Sequence, residues 1–485
     1  MIYQISKNID GDRMFIVNFS ELNGRLDPSI YQPHFKFVSK KYANVKLSEI
    51  ALIDPSCNFE KKGEVSFIPM DAIDATNGVI TYQGTKKTED TKGYTRFQEG
   101  DLLWAKITPC MQNGKSAIAR NLINGFGCGS TEFFVIRPKN MDVVCVEYLF
   151  FLLRDERILR SAMNYFGGSA GQQRVSPIFL KNFNVPLPCL DVQMDVVRLF
   201  MKASTEKRLK EQQAETLLQS IDEYLLSELR INRVTDTRTE NGRFFYTSHK
   251  EVTGKRLDPV AYSKQTQNIK QAIVDGKYSC STLKSLITHE AAGDWGVDVI
   301  DNYESQTYSK CLVLRSTEFN LHHNIVIDNT KAKYRLISNK KLDYIDLQPN
   351  DLIIEKSGGS ENQPVGRVAI ITKDLFERDR LCYSNFVQKI RLDKNQVIPT
   401  YACFFLRLVH NMKLTETMQS QTNGIRNLIM SEYYAQQIPL PPLEKQKEII
   451  THIGTLCNRA KQLQQEATDI MTNAKQQIEQ MILGE

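Results

Sequence analysis

The sequence predicts an α+β fold in which two similar, β-rich globular modules are joined by two long helices. The helices are expected to pack as an antiparallel coiled coil, giving an internal repeat with approximate two-fold symmetry. Three observations carry this. Arg25-Leu26-Asp27-Pro28-Ser29-Ile30-Tyr31 returns as Arg256-Leu257-Asp258-Pro259-Val260-Ala261-Tyr262. In the same order, Val185-Pro186-Leu187-Pro188-Cys189-Leu190 returns as Ile438-Pro439-Leu440-Pro441-Pro442-Leu443. The repeated unit is therefore a whole domain, far too long for a solenoid or propeller repeat. Each Pro-Leu-Pro mark is followed by a run of roughly 40 residues dominated by strong helix formers.

These marks divide the chain. Residues 1–45 form the N-terminal segment of the first repeat, 46–188 the first module and 189–232 the first long helix. Residues 233–279 are a linker and the start of the second repeat, 280–441 the second module and 442–485 the second long helix. Met14-Phe15-Ile16-Val17 and Phe244-Phe245-Tyr246-Thr247 each read as a short strand ahead of an Arg-Leu-Asp-Pro mark. The stretches ending in 45–51 and 281–287 are natural openings of a globular domain. The interiors, rich in β-branched and aromatic residues with Gly, Asn and Asp punctuation, favour strands and turns.

Aligning the interiors strengthens the repeat. Gly100-Asp101-Leu102-Leu103-Trp104-Ala105-Lys106 falls against Asn350-Asp351-Leu352-Ile353-Ile354-Glu355-Lys356. Ser130 to Arg137 falls against Ser384 to Arg391, and a helix at 148–154 against one at 401–407. The loops 81–93 and 329–343 do not visibly match. A shared frame with divergent loops suits two modules that read different ligands.

From Leu190 to Ile231 there is neither Pro nor Gly. In the second helix Ile449, Ile453, Leu456, Ala460, Leu463, Ala467, Ile470, Ala474, Ile478 and Met481 recur at steps of three and four, a heptad seam. The small Ala460, Ala467 and Ala474 would let two helices approach closely. In the first helix the seam is clear through Ala214, Leu217, Ile221, Tyr224 and Leu225, while Lys207 and Lys210 interrupt it earlier. A helix of about 40 residues is roughly 60 Å long, so it cannot be one side of a compact domain. Mutual, antiparallel pairing is expected; the alternative is two separate coiled coils that bind partner helices.

Composition sets limits on function. The hydrophobic content of 41% and charged content of 24% are those of an ordinary globular chain, and its length allows two to four domains. No apolar run approaches a membrane span and residues 1–7 lack a signal-peptide core, so a cytoplasmic protein is expected. The ten cysteines are scattered without a C-x-x-C, which argues for buried thiols over zinc or disulfide frameworks. A net charge of +6 is compatible with a polyanionic partner and decides nothing alone.

The residues then resemble a known family. Gly100-Asp101-Leu102-Leu103-Trp104-Ala105-Lys106-Ile107-Thr108-Pro109, the Asn113-Gly114-Lys115 turn, Gly129-Ser130-Thr131-Glu132-Phe133 and Pro439-Leu440-Pro441-Pro442-Leu443-Glu444-Lys445-Gln446 carry the likeness. In order and duplication they resemble the specificity subunit of type I DNA restriction-modification systems, over nearly the whole chain. The resemblance implies that 46–188 and 280–441 are target recognition domains, each reading one half of a bipartite double-stranded DNA target. It implies helices that set the spacing, no catalytic activity and no cofactor in this chain. It further implies docking of two methyltransferase subunits carrying S-adenosylmethionine, with two restriction endonuclease subunits able to join, ATP and Mg being expected on the partners. The second module departs from the pattern, having Glu355-Lys356-Ser357-Gly358-Gly359 where the first has Ala105-Lys106-Ile107-Thr108-Pro109, and in the first exit Cys189 stands where the second exit has Pro442.

Catalysis within the chain itself would need motifs of its own. An amino-methyltransferase needs an Asn/Asp-Pro-Pro-aromatic loop around a flipped base. Asp27-Pro28-Ser29-Ile30 and Asp54-Pro55-Ser56-Cys57 lack both the second proline and the aromatic. Gly125-Phe126-Gly127-Cys128-Gly129 runs into a strand where a cofactor-binding helix should begin. A nuclease could draw on Asp351, Glu355 and Lys356, but Glu355 and Lys356 are adjacent and point to opposite faces of a strand. Asp54, Glu60 and Lys62 have no counterpart in the second half. His322-His323 would need further ligands to hold a metal, so no metal residue is assigned.

DNA contact is the chemistry that remains. Lys and Arg neutralise phosphates and pair with guanine, while Asn and Gln pair with adenine in the major groove. The candidates are Lys106, Thr108, Gln112, Asn113, Lys115, Gln172, Gln173 and Arg174 in the first module. In the second they are Lys356, Ser357, Asn362, Gln363, Arg367, Asn423 and Arg426. The alternative for each is an ordinary solvated turn. Lys61-Lys62, Lys86-Lys87 and Lys340-Lys341 read as exposed charge, or at most as phosphate contacts. The rival functions are an enzyme with an unrecognised active site and a coiled-coil interaction protein that never touches DNA.

Overall fold

The computed structural model describes residues 38–59, 63–168, 172–234, 259–299, 306–320, 322, 324–359, 363–422 and 425–484. The Arg-Leu-Asp repeats at 25–27 and 256–258, and the two short strands expected ahead of them, lie outside the described residues. Two compact units are present: residues 1–210 with 465–485, and residues 211–464. The division cuts through both long helices because each half-helix packs on the module beside it.

In the first unit a short strand leads into the Pro-Leu-Pro mark and ends on its first proline. Asn184–Pro186 pairs antiparallel with Asn44–Lys46, matching Val185 to Val45, so the exit of the module closes against its opening. The second unit repeats this, with Gln437–Pro439 on Cys280–Thr282 and Ile438 opposite Ser281. The duplicated marks are thus the stitched ends of each module. A tyrosine reinforces each seam: Tyr148 donates to the Pro186 carbonyl at 2.8 Å, Tyr401 to that of Pro439 at 3.0 Å.

Between the ends lie two four-stranded sheets per module. In the first module, one sheet runs Ala51–Ile53, Phe133–Pro138, Leu102–Ala105, Ser116–Ile118, all antiparallel. Alternate residues face opposite ways along a strand. Leu102, Trp104, Phe134 and Ile136 therefore pack on helices and on the ends of the long helices, while Leu103, Phe133 and Val135 join a second core with Ile68 and Phe97 of the other sheet. Burial on both faces explains why Leu102 to Ala105 is one unbroken apolar run. The second module repeats the sheet as Ile287–Ala292, Val387–Leu392, Leu352–Glu355, Val368–Ile370, with Leu352 and Ile354 in one core and Ile353 and Val387 in the other.

The other sheet shares three strands and differs in the fourth. Glu64–Ile68 pairs antiparallel with Gly84–Lys87 and parallel with Phe126–Gly129; Tyr308–Leu314 pairs the same way with Tyr334–Ser338 and Leu381–Tyr383. The segments 81–93 and 329–343, expected to be unmatched loops, thus contain an equivalent strand. The fourth strand lies beyond Phe126–Gly129 in the first module, as Thr95–Gln98, but on the opposite edge in the second, as Val297–Asp298.

The long helices are Leu190–Leu229 and Leu443–Leu483. Within the second unit Ala214 packs with Ala460 and Leu463, and Glu228 pairs with Lys445 at 2.8 Å. Within the first unit Lys210 pairs with Glu466 at 2.5 Å, while Val196 shares a core with Ile478 and Ile482. Advancing along one helix retreats along the other in both units, so the pairing is antiparallel. Ala214, Ile221, Leu225, Ile449, Ile453, Ala460, Leu463, Ala467, Ala474 and Ile478 are buried, and Leu217, Leu456 and Ile470 half-buried. Lys207 and Lys210 were expected to interrupt the seam, and it resumes on their N-terminal side. Ala203 and Val196 continue it, and the half-buried Lys210 reaches Glu466 with the end of its long aliphatic stem.

One glutamine joins each helix to its module. Gln193 is fully buried; its Oε1 accepts from the Cys145 N–H and its Nε2 donates to the Val143 and Pro188 carbonyls. Gln446 does the same with Ile398 N–H and the Gln396 and Pro441 carbonyls. Gln446→Leu, similar in volume, leaves these three backbone groups without their partner. A loss of about 2 kcal/mol is expected, read by calorimetry as a lowered transition of the second unit alone. An unmoved transition would show that water replaces the amide.

All ten cysteines are free; Cys57, Cys128, Cys311, Cys382 and Cys403 are buried as expected, whereas Cys110, Cys145, Cys280 and Cys457 are half-buried and Cys189 is exposed. Among the described residues no helix is long and apolar enough to cross a membrane.

Candidate nucleic-acid interface

The strand Leu102–Ala105 delivers Lys106 to the end of the first module, where a hairpin meets it. The hairpin pairs Phe166–Gly167 with Arg174–Val175. Val175 N–H donates to the Lys106 carbonyl at 2.8 Å, Thr108 N–H to that of Gln173 at 2.9 Å, and Ile107 bridges to Arg174. Residues far apart in sequence, Lys106, Thr108, Gln172, Gln173 and Arg174, are thereby brought to one place. Gln112 and Asn113 are exposed on the adjoining turn, with Gln112 Nε2 3.9 Å from the Met163 sulfur. Lys115 is drawn partly inward, its Nζ donating to the Met70 carbonyl at 3.0 Å.

Arg174 carries the clearest electrostatic arrangement. Its Nε and Nη2 donate to the two carboxylate oxygens of Glu132 at 2.9 and 2.8 Å, and its Nη1 to the Gln172 carbonyl at 3.1 Å. The guanidinium holds the Glu132 carboxyl below the ordinary carboxylate range, and Glu132 in turn raises Arg174. Lys106 Nζ lies 5.3 Å from the centre of the Phe134 ring.

The second module repeats the junction with other side chains. Leu428 N–H donates to the Lys356 carbonyl at 2.7 Å, the counterpart of Val175 on Lys106. Ser357–Gly359 then pairs with Ile425–Leu428, setting Ser357 opposite Asn427 and Gly359 opposite Arg426. Asn427 thus occupies the place of Arg174. Where the first module has Glu132, the second has Phe386, whose carbonyl accepts from Lys356 and whose side chain is 50% exposed. Lys356 and Arg426 are half-buried and Gln363 is exposed. Asn362 and Asn423 lie outside the described residues.

Two of the expected DNA contacts face inward. Arg367 is 7% exposed; its Nε and Nη2 pair with Glu355 at 2.8 and 2.9 Å, and its Nη groups also donate to the Phe319 and Ser316 carbonyls. Its guanidinium is spent on a buried partner, because Glu355 replaces Ala105 on a strand buried on both faces. Ser357 is likewise buried, its hydroxyl bonded to the Asn427 amide oxygen. Sequence reasoning missed Glu132, Phe386 and Asn427. The first two stand at equivalent positions of the aligned strands, so the contrast between them was the available signal.

The carboxylates weighed for metal chemistry have structural partners. Asp351 receives Arg391 at 2.8 Å and lies 3.5 Å from the buried Lys389, while Glu355 holds Arg367. The first module repeats the former pair as Asp101 and Arg137 at 2.7 Å. His322 Nε2 is 3.4 Å from Glu215.

The fold and this paired junction define a duplicated-module protein in which one frame presents two different polar edges. The sequence profile of the type I restriction modification DNA specificity domain matches residues 39–219 and 316–480, and the chain belongs to that family. It is 36% identical over 200 residues to the type I restriction enzyme EcoAI specificity subunit of Escherichia coli, and 35% over 202 residues to the EcoEI specificity subunit. Those alignments take in 40% and 41% of this chain and span about a third, 34%, of each relative. A chain from a structure describing complex assembly and conformational transition of the type I R-M system has a similar fold. Its TM-score is 0.52 at 16% identity, over 92% of this chain and 97% of that one.

Proposed function

We propose that this protein is the sequence-specific DNA-binding specificity subunit of a type I restriction-modification complex. Each module reads one half of a bipartite target in double-stranded DNA, and the paired long helices set the distance between halves and dock two methyltransferase subunits. The chain performs no catalysis. Adenine methylation with S-adenosylmethionine belongs to those partners, and restriction, with ATP and Mg, to two endonuclease subunits that can join them.

The observation that carries this reading is the junction repeated in both modules, one backbone frame with Lys106, Gln173 and Arg174 in one copy and Lys356, Arg426 and Asn427 in the other. Side chains of these types serve phosphates and base edges. Their change of identity on a constant frame is what reading two sequences requires. The test is an exchange of residues 46–185 for the same region of a relative of known target. One half-site should change and the other persist in the methylation pattern of cells carrying the complex. A change in both halves, or in neither, would contradict independent reading by the two modules.

A further inference from the structure

We propose that Arg174, braced by Glu132, reads a guanine in the first module's half-site. We further propose that the second module, with Asn427 and Phe386 in these two places, reads another base there, so the two half-sites differ at that base pair. This rests on the proposed role of the modules in DNA reading and goes beyond it by naming the residue and base.

The argument is one of hydrogen-bond geometry. A guanidinium has five N–H donors in a planar fork. Glu132 takes the side edge, one hydrogen from Nε and one from Nη2, and the Gln172 carbonyl takes one from Nη1. One hydrogen on Nη2 and one on Nη1 remain for a further acceptor. A guanine presents two acceptors, O6 and N7, on its major-groove edge, and paired donors from one arginine match them. Arg174 keeps 44% of its side-chain surface exposed, so the remaining edge is reachable.

The brace matters because an arginine loses much rotamer freedom when it binds. Glu132 restricts that freedom before DNA arrives, and its own backbone is tied, its carbonyl accepting from Lys106 N–H at 2.9 Å. In the second module no carboxylate stands in that position. Phe386 presents a half-exposed ring suited to apolar contact with a thymine methyl, and Asn427 is an amide held by Ser357.

The test uses the full chain, co-expressed with a type I modification subunit, and duplex DNA with randomised half-sites. The wild-type complex should select a guanine at one position of the first half-site and a different base at the equivalent position of the second. Arg174→Ala should relax that position alone by about 10- to 100-fold, with the second half-site unchanged. Glu132→Gln should relax it less, since one acceptor of the brace survives. Equal weakening on every sequence, with the salt slope reduced by about one, would make Arg174 a phosphate contact and overturn the proposal. The same base selected in both halves would overturn the claimed difference. If the wild-type complex selects no sequence at all, the reading of the modules as recognition domains falls, and this inference with it.

Discussion

Glu355→Ala is expected to destabilise the second module by about 3–5 kcal/mol, the usual cost of removing one partner from a buried ion pair. The side chains of Arg367 and Glu355 are 8% and 2% exposed, so water cannot take the place of the lost carboxylate. Arg367 would keep its bonds to the Phe319 and Ser316 carbonyls, but its charge would stay buried without a counterion. Calorimetry should show the transition of the second unit falling by about 10 °C, on the scale of roughly 2–4 °C per kcal/mol for a domain of this size. The first unit should be unmoved, since Ala105 stands at the equivalent position. Replacing both partners together, Glu355→Met with Arg367→Leu, should recover most of the loss by removing the stranded charge. An Ala variant as stable as the parent would show that the cation escapes to solvent.

Arg367 also shows where the sequence stops being informative. Its neighbours Gln363 and Lys356 give it the look of a DNA-facing loop residue, and nothing local says that Glu355 points inward to meet it. The frame itself was legible, because strand alternation and duplication are written in every element. Leu102 to Ala105 and Leu352 to Glu355 align residue for residue and occupy the same place in their sheets. The pairing of the helices followed from the heptad seam and its antiparallel sense from the two-fold symmetry that duplex DNA favours, whereas the role of Lys210 followed from neither, since a long stem can lie on a seam with its charge at the rim. The displaced fourth strand was invisible because Val297–Asp298 is too short to carry a period. Gln193 and Gln446 read as ordinary helix residues; only the structure places each against three backbone groups. In the candidate interface, residue types were legible and their grouping was not. The contact of Gln173, Arg174 and Val175 with Lys106, Ile107 and Thr108 joins segments almost seventy residues apart, and no spacing rule predicts it.

Moving one half-site by two base pairs is expected to lower affinity to the nonspecific level, a loss of about 1,000-fold or more. The reason is the stiffness of the proposed ruler. Helices of 40 and 41 residues are each about 60 Å long, and they pair through buried small and branched side chains, including Ala214 on Ala460. Two base pairs displace a half-site by about 7 Å and turn it by about 70° around the duplex axis. Matching that change needs the seam to slip, which would expose buried Ile449, Ile453 and Ile478, or needs a module to turn on its helix against the bonds of Gln193 or Gln446. Titration at one fixed salt concentration is the measurement, because phosphate contacts make affinity strongly salt-dependent. A complementary change should restore binding. Inserting three heptads after Lys210 in the first helix and three after Gln464 in the second, at points facing each other through the Lys210 and Glu466 pair, lengthens both helices by about 30 Å without disturbing the seam. The preferred gap should then lengthen by about one turn of the duplex, roughly ten base pairs, which returns the half-site to the same face of the DNA, while both half-site sequences stay the same. A protein that keeps its original gap after this insertion, or that tolerates the two-base-pair shift before it, does not measure DNA with these helices.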